Sequence, residues 1–260
     1  MTNSKKLRVG IVGSGNVATH LAIAIAKSEH ELVYIIARDK KRAESLAQKS
    51  NAIAVNIDEM TAALDIIILA IKDKALGDEF INRLPSNTLI CHTSGSVAMD
   101  VLNSHSNYGI FYPLQTFSKQ KEVDFNTIPI CLEANNKGNL QILHHLAQSI
   151  SNKVYEIDSK QRKALHLAAV FACNFTNLMY DISEMLCQES GMDFDILRPL
   201  IQETAAKVQD HIPSEVQTGP AARNDQKIIE KHLALLHKHP DYQNIYKILT
   251  NEIIQNNEEL

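Results

Sequence analysis

The sequence predicts an α/β fold in which a mostly parallel sheet domain is followed by an all-helical one. Three observations carry that expectation. Across residues 1–157 short apolar runs alternate with helix-patterned segments, the arrangement that builds a parallel sheet. The runs are rich in Ile and Val and apolar on both faces, as strands covered from both sides must be. Across 158–260 every patterned segment has a helical period. The expected division is therefore 1–157 and 158–260.

The first run, LRVGIV (7–12), leads directly into Gly13, Ser14, Gly15, Asn16 and Val17 and then into a helix pattern over 16–29. Gly13 permits a sharp turn, and Gly15 lets the backbone approach a pyrophosphate. Ala18 takes the third position of the motif, which needs only close helix–strand packing. The helix beyond presents its free N–H groups and positive dipole end to that anion. This spacing predicts a dinucleotide site of the Rossmann type.

The second strand, ELVYIIA (31–37), ends at Arg38, with Asp39 placed to cap a helix over 40–50. NAD and FAD sites usually carry Asp or Glu at this point to hold the ribose hydroxyls. Arg38, with Lys41 one turn on, instead offers a planar fork of donors and a second cation to a 2′-phosphate. The expected cofactor is NADP, and FAD is disfavoured. DIIILAI (65–71) comes next, and Ala70, Ile71 and Lys72 at its end should border the ribose and pyrophosphate. A helix is expected over 73–83. NTLICH (87–92) runs into HTSGS, which brings His92 and Ser94 toward the nicotinamide, and another helix is expected over 96–103. YGIFY (108–112) runs into YPLQTFS, whose Gln115, Thr116 and Ser118 are positioned to line the substrate space. TIPICLE (127–133), a helix over 136–150 and KVYEI (153–157) complete the sheet.

Helices then follow over 159–189, 193–209, 225–237 and 241–257, with a Pro-, Gly- and Asn-bearing loop at 210–224. At 100° per residue, His166, Val170, Cys173, Asn174 and Asn177 share about a third of the first helix's circumference. An imidazole at His166 suits proton exchange during hydride transfer, and Asn174 suits orienting a carbonyl or carboxylate. No metal site is expected. His144 and His145 are adjacent and so diverge on a helix, while His232, His237 and His239 have no matching carboxylate cluster.

Composition sets the outer bounds. The 260 residues are 45% hydrophobic and 22% charged, with a formal net charge of −4, which gives no basic footprint for nucleic acid. The opening MTNSKKLRVG lacks the apolar core of a signal peptide, and no run reaches membrane-spanning length. Four scattered cysteines without C-x-x-C spacing fit reduced thiols, so a cytoplasmic protein is expected.

GIVGSGNVATHLAIAIAKS, ARDKKRAESLA and DIIILAIKDKAL together resemble the NADP-binding domain of pyrroline-5-carboxylate reductase and of coenzyme-F420-dependent NADP reductase. HTSGS (92–96), YPLQTFS (112–118), HLAAVFACNFTNLMY (166–180) and TGPAARND (218–225) are similar to a bacterial group of Rossmann-like oxidoreductases with a helical C-terminal domain of unknown function, DUF2520. The resemblance implies a helical half like the C-terminal domain of 6-phosphogluconate dehydrogenase. It also implies a homodimer through residues 160–257, and hydride transfer between NADP and a small carbonyl, imine or acid. The related β-hydroxyacid dehydrogenases place Lys one turn before the helix Asn. Here that position is Val170, which argues against hydroxyacid chemistry by their mechanism. A non-catalytic NADP-binding sensor or scaffold is the alternative.

Overall fold

A computed structural model describes residues 5–118 and 121–258. The chain divides into two compact units, Met1–Cys173 and Asn174–Leu260.

The first unit holds an eight-stranded sheet in the order β3-β2-β1-β4-β5-β6-β7-β8. Its strands are β1 (Arg8–Val12), β2 (Glu31–Ile36), β3 (Ile53–Val55), β4 (Ile66–Leu69), β5 (Leu89–His92), β6 (Tyr108–Pro113), β7 (Ile130–Ala134) and β8 (Val154–Glu156). All neighbouring pairs run parallel except β6 and β7. Among the described residues its α-helices are α1 (Asn16–Ala26), α2 (Lys40–Ser50), α3 (Lys137–Gln148) and α4 (Ser159–Ala169).

The two faces of the sheet are covered differently. Ile11, Ile35, Ile66 and Ile68 on one face pack under Leu21, Ile25, Leu46 and Leu143 of α1, α2 and α3. Val12, Ile36, Ile67, Leu69 and Ile90 on the other face lie under Leu76, Ile81, Leu84 and Leu102. The residues covering that second face lie in or directly after 3₁₀ turns at Asp73–Ala75, Glu79–Arg83 and Met99–Leu102, where the periodicity predicted α-helices over 73–83 and 96–103. Gly77 interrupts the first pattern at its centre and lowers its helical propensity, and Pro85 closes off any extension. In the second, the Ser94 hydroxyl accepts the N–H groups of Ser96 and Val97 and spends the segment's first turn on a tight bend. The sequence reading did not anticipate β3, whose three residues are too few to show a period.

Local capping follows the sequence closely. Asp39 accepts from the Arg42 N–H at 3.1 Å and starts α2. Asp158 and Gln161 form a reciprocal capping box at the start of α4. The predicted single helix over 159–189 continues from α4 through a π-helical segment, Val170–Phe175, into α5 (Thr176–Glu189). A π segment inserts residues into the α repeat, so each one turns everything beyond it by about 100°. The stripe of Asn174 and Asn177 in line with His166, derived for a regular helix, therefore does not hold.

The second unit contains α5, a 3₁₀ turn at Phe194–Leu197, α6 (Arg198–Asp210), α7 (Gln226–Leu235) and α8 (Pro240–Glu258). Gly191, at φ 69°, ends α5, and Asp225 caps α7 through the Ile228 N–H at 3.3 Å. The His232 ring meets the Tyr246 hydroxyl at 2.8 Å and ties α7 to α8. Among the described residues no helix is long and apolar enough to cross a membrane.

Candidate functional site

Strand order reverses between β1 and β4, because β1 continues toward β2 on one side and toward β4 on the other. The crevice beyond the carboxyl ends of such strands is where an open α/β sheet binds ligands. Gly13 occupies that point. Its N–H donates to Ile36 O at 2.8 Å, its φ is 127°, and a Cβ there would sit 2.3 Å from Ala70 O. No side chain fits, so the turn and the end of β4 are keyed together through backbone. Two residues on, Gly15 is the N-cap of α1, and among the described residues a Cβ there would meet nothing within 4 Å. Among the described residues no side chain caps α1, and its first turn holds no acidic residue. The helix thus presents unsatisfied N–H groups to open space, which fits an anionic pyrophosphate.

The other expected cofactor residues frame this turn. Ser14 and Val17 are half-buried, and Ile71 and the exposed Lys72 follow Ala70 out of β4. Asn16 is exposed, but its side-chain amide donates to Phe117 O at 2.8 Å. His20 bonds Ser118 O at 2.8 Å and stacks on Phe117, so the segment after β6 is tied down over the start of α1. At the end of β2, Arg38 and Lys41 are exposed and make no ion pair among the described residues. Asp39, the neighbouring acid, is held by Arg42 at 3.1 Å.

The loop after β5 is organised around its own polar groups. His92 has 0% exposure. Its Nδ1 accepts the Ser94 N–H at 3.1 Å, and its Nε2–H donates to Ala98 O at 3.4 Å. Burial pushes the His92 pKa down to about 4, so the ring is neutral and both nitrogens serve the bend. The Ser96 hydroxyl donates to Asp73 at 2.6 Å and joins this loop to the one after β4. His92 and Ser94 therefore lie together, and each is committed to the shape of the loop.

The apex of that loop is Gly95. The His166 ring, from α4, lies directly against it: a Cβ on Gly95 would come within 2.5 Å of His166 Nδ1 and 2.9 Å of Tyr112 Cζ. Tyr112, near the end of β6, meets His166 Nδ1 at 3.1 Å through its hydroxyl. One turn before His166, the fully buried Arg162 pairs with Glu133 of β7 and donates to Val97 O at 2.7 Å and to Ser159 Oγ at 3.1 Å. Ser159 Oγ in turn donates to Glu133 at 2.7 Å. Among the described residues Arg162 Nε is buried without a partner. The network clamps α4 to both the loop and the sheet edge. Sequence reasoning singled out neither Tyr112 nor Arg162. The available signal for Arg162 was its spacing of four residues before His166, which places both on one face of a helix. Asn174 begins the second unit and is exposed.

Among the described residues one cluster, Glu29, His30 and His145, brings metal-ligand atoms together. His30 Nδ1 accepts the Leu7 N–H at 3.3 Å, so its proton is on Nε2, which faces His145 O at 3.4 Å. Neither nitrogen offers a metal a free lone pair.

Residues 2–116 match the Rossmann-like domain family, and residues 128–253 match the domain of unknown function DUF2520. No curated protein matches the chain. A Bacteroides fragilis protein described as a "putative NADP oxidoreductase" is 40% identical with a TM-score of 0.90, over 96% of this chain and 98% of its own. The Aspergillus terreus reductive aminase in complex with NADPH and ethyl-5-oxohexanoate shares the fold at 14% identity and TM-score 0.69, over 96% and 94% of the two chains. The 1-pyrroline-5-carboxylate reductase of Streptococcus pyogenes does so at 14% and 0.63, over 96% and 99%.

Proposed function

From the premise that this chain belongs to the family joining a Rossmann-like domain to DUF2520, we propose that it is an NADP-dependent oxidoreductase moving a hydride to or from a small carbonyl, imine or acid. One observation carries the reading. The uncapped N-terminus of α1 opens at Gly15 onto free space where the strand order reverses. The description of the Bacteroides fragilis relative and the NADPH held by the reductive aminase support the choice of cofactor.

In this reading the turn Gly13–Val17 holds the pyrophosphate, Ala70, Ile71 and Lys72 border it, and Arg38 and Lys41 take the 2′-phosphate. When bound, the nicotinamide supplies or accepts the hydride. His166 handles the proton. In the reducing direction the substrate carbon gains the hydride, its double-bond pair moves to the heteroatom, and that atom takes the proton of the His166 imidazolium. His92 and Ser94 act by shaping the floor on which His166 rests.

Residues 1–157 form the cofactor half and 158–260 the substrate and dimerisation half of a cytoplasmic homodimer. Exposed Leu167, Ile196, Leu200 and Ile248 support the dimer, since apolar side chains of this size rarely face water in numbers. Light scattering at micromolar concentration checks it, and a monomeric mass counts against it.

The functional test pairs calorimetric titration of NADPH and NADH with turnover across a panel of small carbonyls, imines and acids. Tighter NADPH binding together with turnover of one substrate class supports the reading. NADPH binding with no turnover across the panel favours a sensor or scaffold instead, and no binding of either nucleotide ends both.

A further inference from the structure

We propose that Tyr112 is the positioning residue of His166: its hydroxyl engages Nδ1, so that only Nε2 exchanges a proton with substrate, and Gly95 keeps open the space in which the two rings meet. The proposal rests on His166 being the proton-exchanging group of the oxidoreductase described above.

Tyr112 is held rigidly. It stands opposite Cys131 in the antiparallel β6–β7 pair, and it packs with Ile110 and Cys131 beside Met99, Leu114, Ile157 and Leu165. Only 8% of its surface is exposed. A phenol buried to that degree needs an acceptor for its proton, and among the described residues His166 Nδ1 is the one within reach, at 3.1 Å. Burial also pushes the Tyr112 pKa up to about 12, so the phenol keeps its proton at neutral pH and orients the imidazole without ionising.

Three further contacts determine where the imidazole sits. Gly95 packs flush against both rings, and a methyl group there would overlap Nδ1, Cγ and the phenol carbon Cζ. Arg162, clamped by Glu133 and Val97 O, fixes the rotation of α4 one turn earlier. The rings themselves stand edge to face at 72°. Among the described residues the titratable and charged groups around the pair are Arg162 on α4, Cys131 and Glu133 on β7, His92 at the end of β5 and Asp73 after β4. In the neutral ring the phenol donates to Nδ1 and the proton resides on Nε2. In the imidazolium, Nδ1–H donates to the phenol oxygen and Nε2–H is again the free one. Either way the substrate side sees Nε2 alone, as a fixed tautomer and orientation require.

The test compares wild type, Tyr112→Phe and Gly95→Ala, with His166→Gln used to assign the His166 signals. Long-range ¹H–¹⁵N spectra of ¹⁵N-histidine-labelled protein read the tautomer directly and need neither cofactor nor turnover. With the ring neutral, wild type should show an unprotonated Nδ1 and a protonated Nε2, and Tyr112→Phe should show a mixture. Identical spectra for the two would overturn the proposal. In steady-state assays with NADPH, Tyr112→Phe should lower kcat roughly tenfold to a hundredfold while NADPH affinity and melting temperature stay near wild type. Unchanged kcat in Tyr112→Phe, where His166→Gln is impaired, also overturns it. A shifted tautomer with full turnover in His166→Gln locates the failure in the reading of His166 as the proton carrier, with the Tyr112 contact intact. Gly95→Ala should reproduce the tautomer mixture with the phenol still present, and a wild-type spectrum from that variant counts against the steric part.

Discussion

Two glycine-bearing loops at the carboxyl edge of the sheet are built in opposite ways. The loop after β1 leaves its polar backbone open: α1 starts without a side-chain cap, and Gly15 faces space. The loop after β5 closes on itself. His92 takes the Ser94 N–H and gives its own to Ala98 O, Ser94 Oγ takes the N–H groups of Ser96 and Val97, and Arg162 takes Val97 O. A buried backbone group without a partner costs about 1–3 kcal/mol, so a loop leaves donors free only where water or a ligand satisfies them. Under the proposed function the first loop receives the cofactor's phosphates, and the second is a platform that holds His166 and Tyr112 in place.

The sharpest way to break this contrast is within the first loop itself. Gly13→Ala puts a methyl group 2.3 Å from a backbone oxygen at a φ of 127°, and nothing flexible can move aside. It should destabilise the protein by about 4 kcal/mol, measured by denaturant unfolding. Gly15→Ala places the same methyl group in open space at a φ of −80°. It should change stability by less than about 1 kcal/mol while weakening NADPH by roughly tenfold or more, or about 1.4 kcal/mol. If Gly15→Ala binds NADPH normally, the space before α1 is not where the phosphates lie.

On the platform, the largest expected effect belongs to the residue that rests on it. His166→Gln should lower turnover by roughly 10²- to 10⁴-fold and leave NADPH affinity within about twofold, or 0.4 kcal/mol. Equal turnover by the variant would reduce His166 to a packing residue between Gly95 and Tyr112.

The same contrast explains what the sequence disclosed. Gly13, Gly15 and Ala18 are legible because their task is local: a turn, a close approach and a small contact each demand a residue type at a fixed spacing. The parallel strands are legible because burial on both faces leaves an Ile- and Val-rich run. The platform is not local. Tyr112 and His166 lie 54 positions apart, and Arg162 and Val97 lie 65 apart, so nothing in a window of sequence links them. HTSGS offered three hydroxyls and an imidazole, and its sequence did not reveal that these groups would be spent on nearby backbone groups and on Asp73. The π segment Val170–Phe175 was equally hidden, because an inserted residue changes phase without changing composition.

The platform's closure also gives a pH signature. His92 is neutral in the fold, with its pKa depressed to about 4 by burial against 6.5 for the free side chain. As pH falls below 6.5 the unfolded chain takes up the proton first, so the stabilisation is fully present above that value and is lost as pH falls toward 4. The loss amounts to about 3 kcal/mol at most. His30, whose pKa burial also lowers, adds to the slope in the same direction. Denaturant unfolding at pH 7 and pH 4.5 should show a visibly flatter dependence in His92→Gln than in wild type, because the variant keeps the His30 contribution and lacks that of His92. Parallel pH curves would mean the His92 ring can accept a proton without disturbing the bend.

At the rim of the open loop, the proposed preference for NADP rests on charge. Arg38 is exposed and unpaired among the described residues, while its acidic neighbour Asp39 is occupied as the cap of α2 and by Arg42. A guanidinium left free beside the end of β2 offers a 2′-phosphate a charge-assisted contact that a ribose hydroxyl cannot match. Arg38→Ala should therefore weaken NADPH by about 1.5–3 kcal/mol, roughly tenfold or more in affinity, and leave NADH nearly unchanged. The contact is open to solvent, so raising the salt concentration should narrow the wild-type preference toward that of the variant. The measurement is a pair of titrations per cofactor at low and high salt. Equal losses for NADPH and NADH would mean that Arg38 supports the fold of the loop and does not read the phosphate. A wild-type preference for NADH would remove the NADP assignment while leaving the open loop, and the platform beside it, as they are.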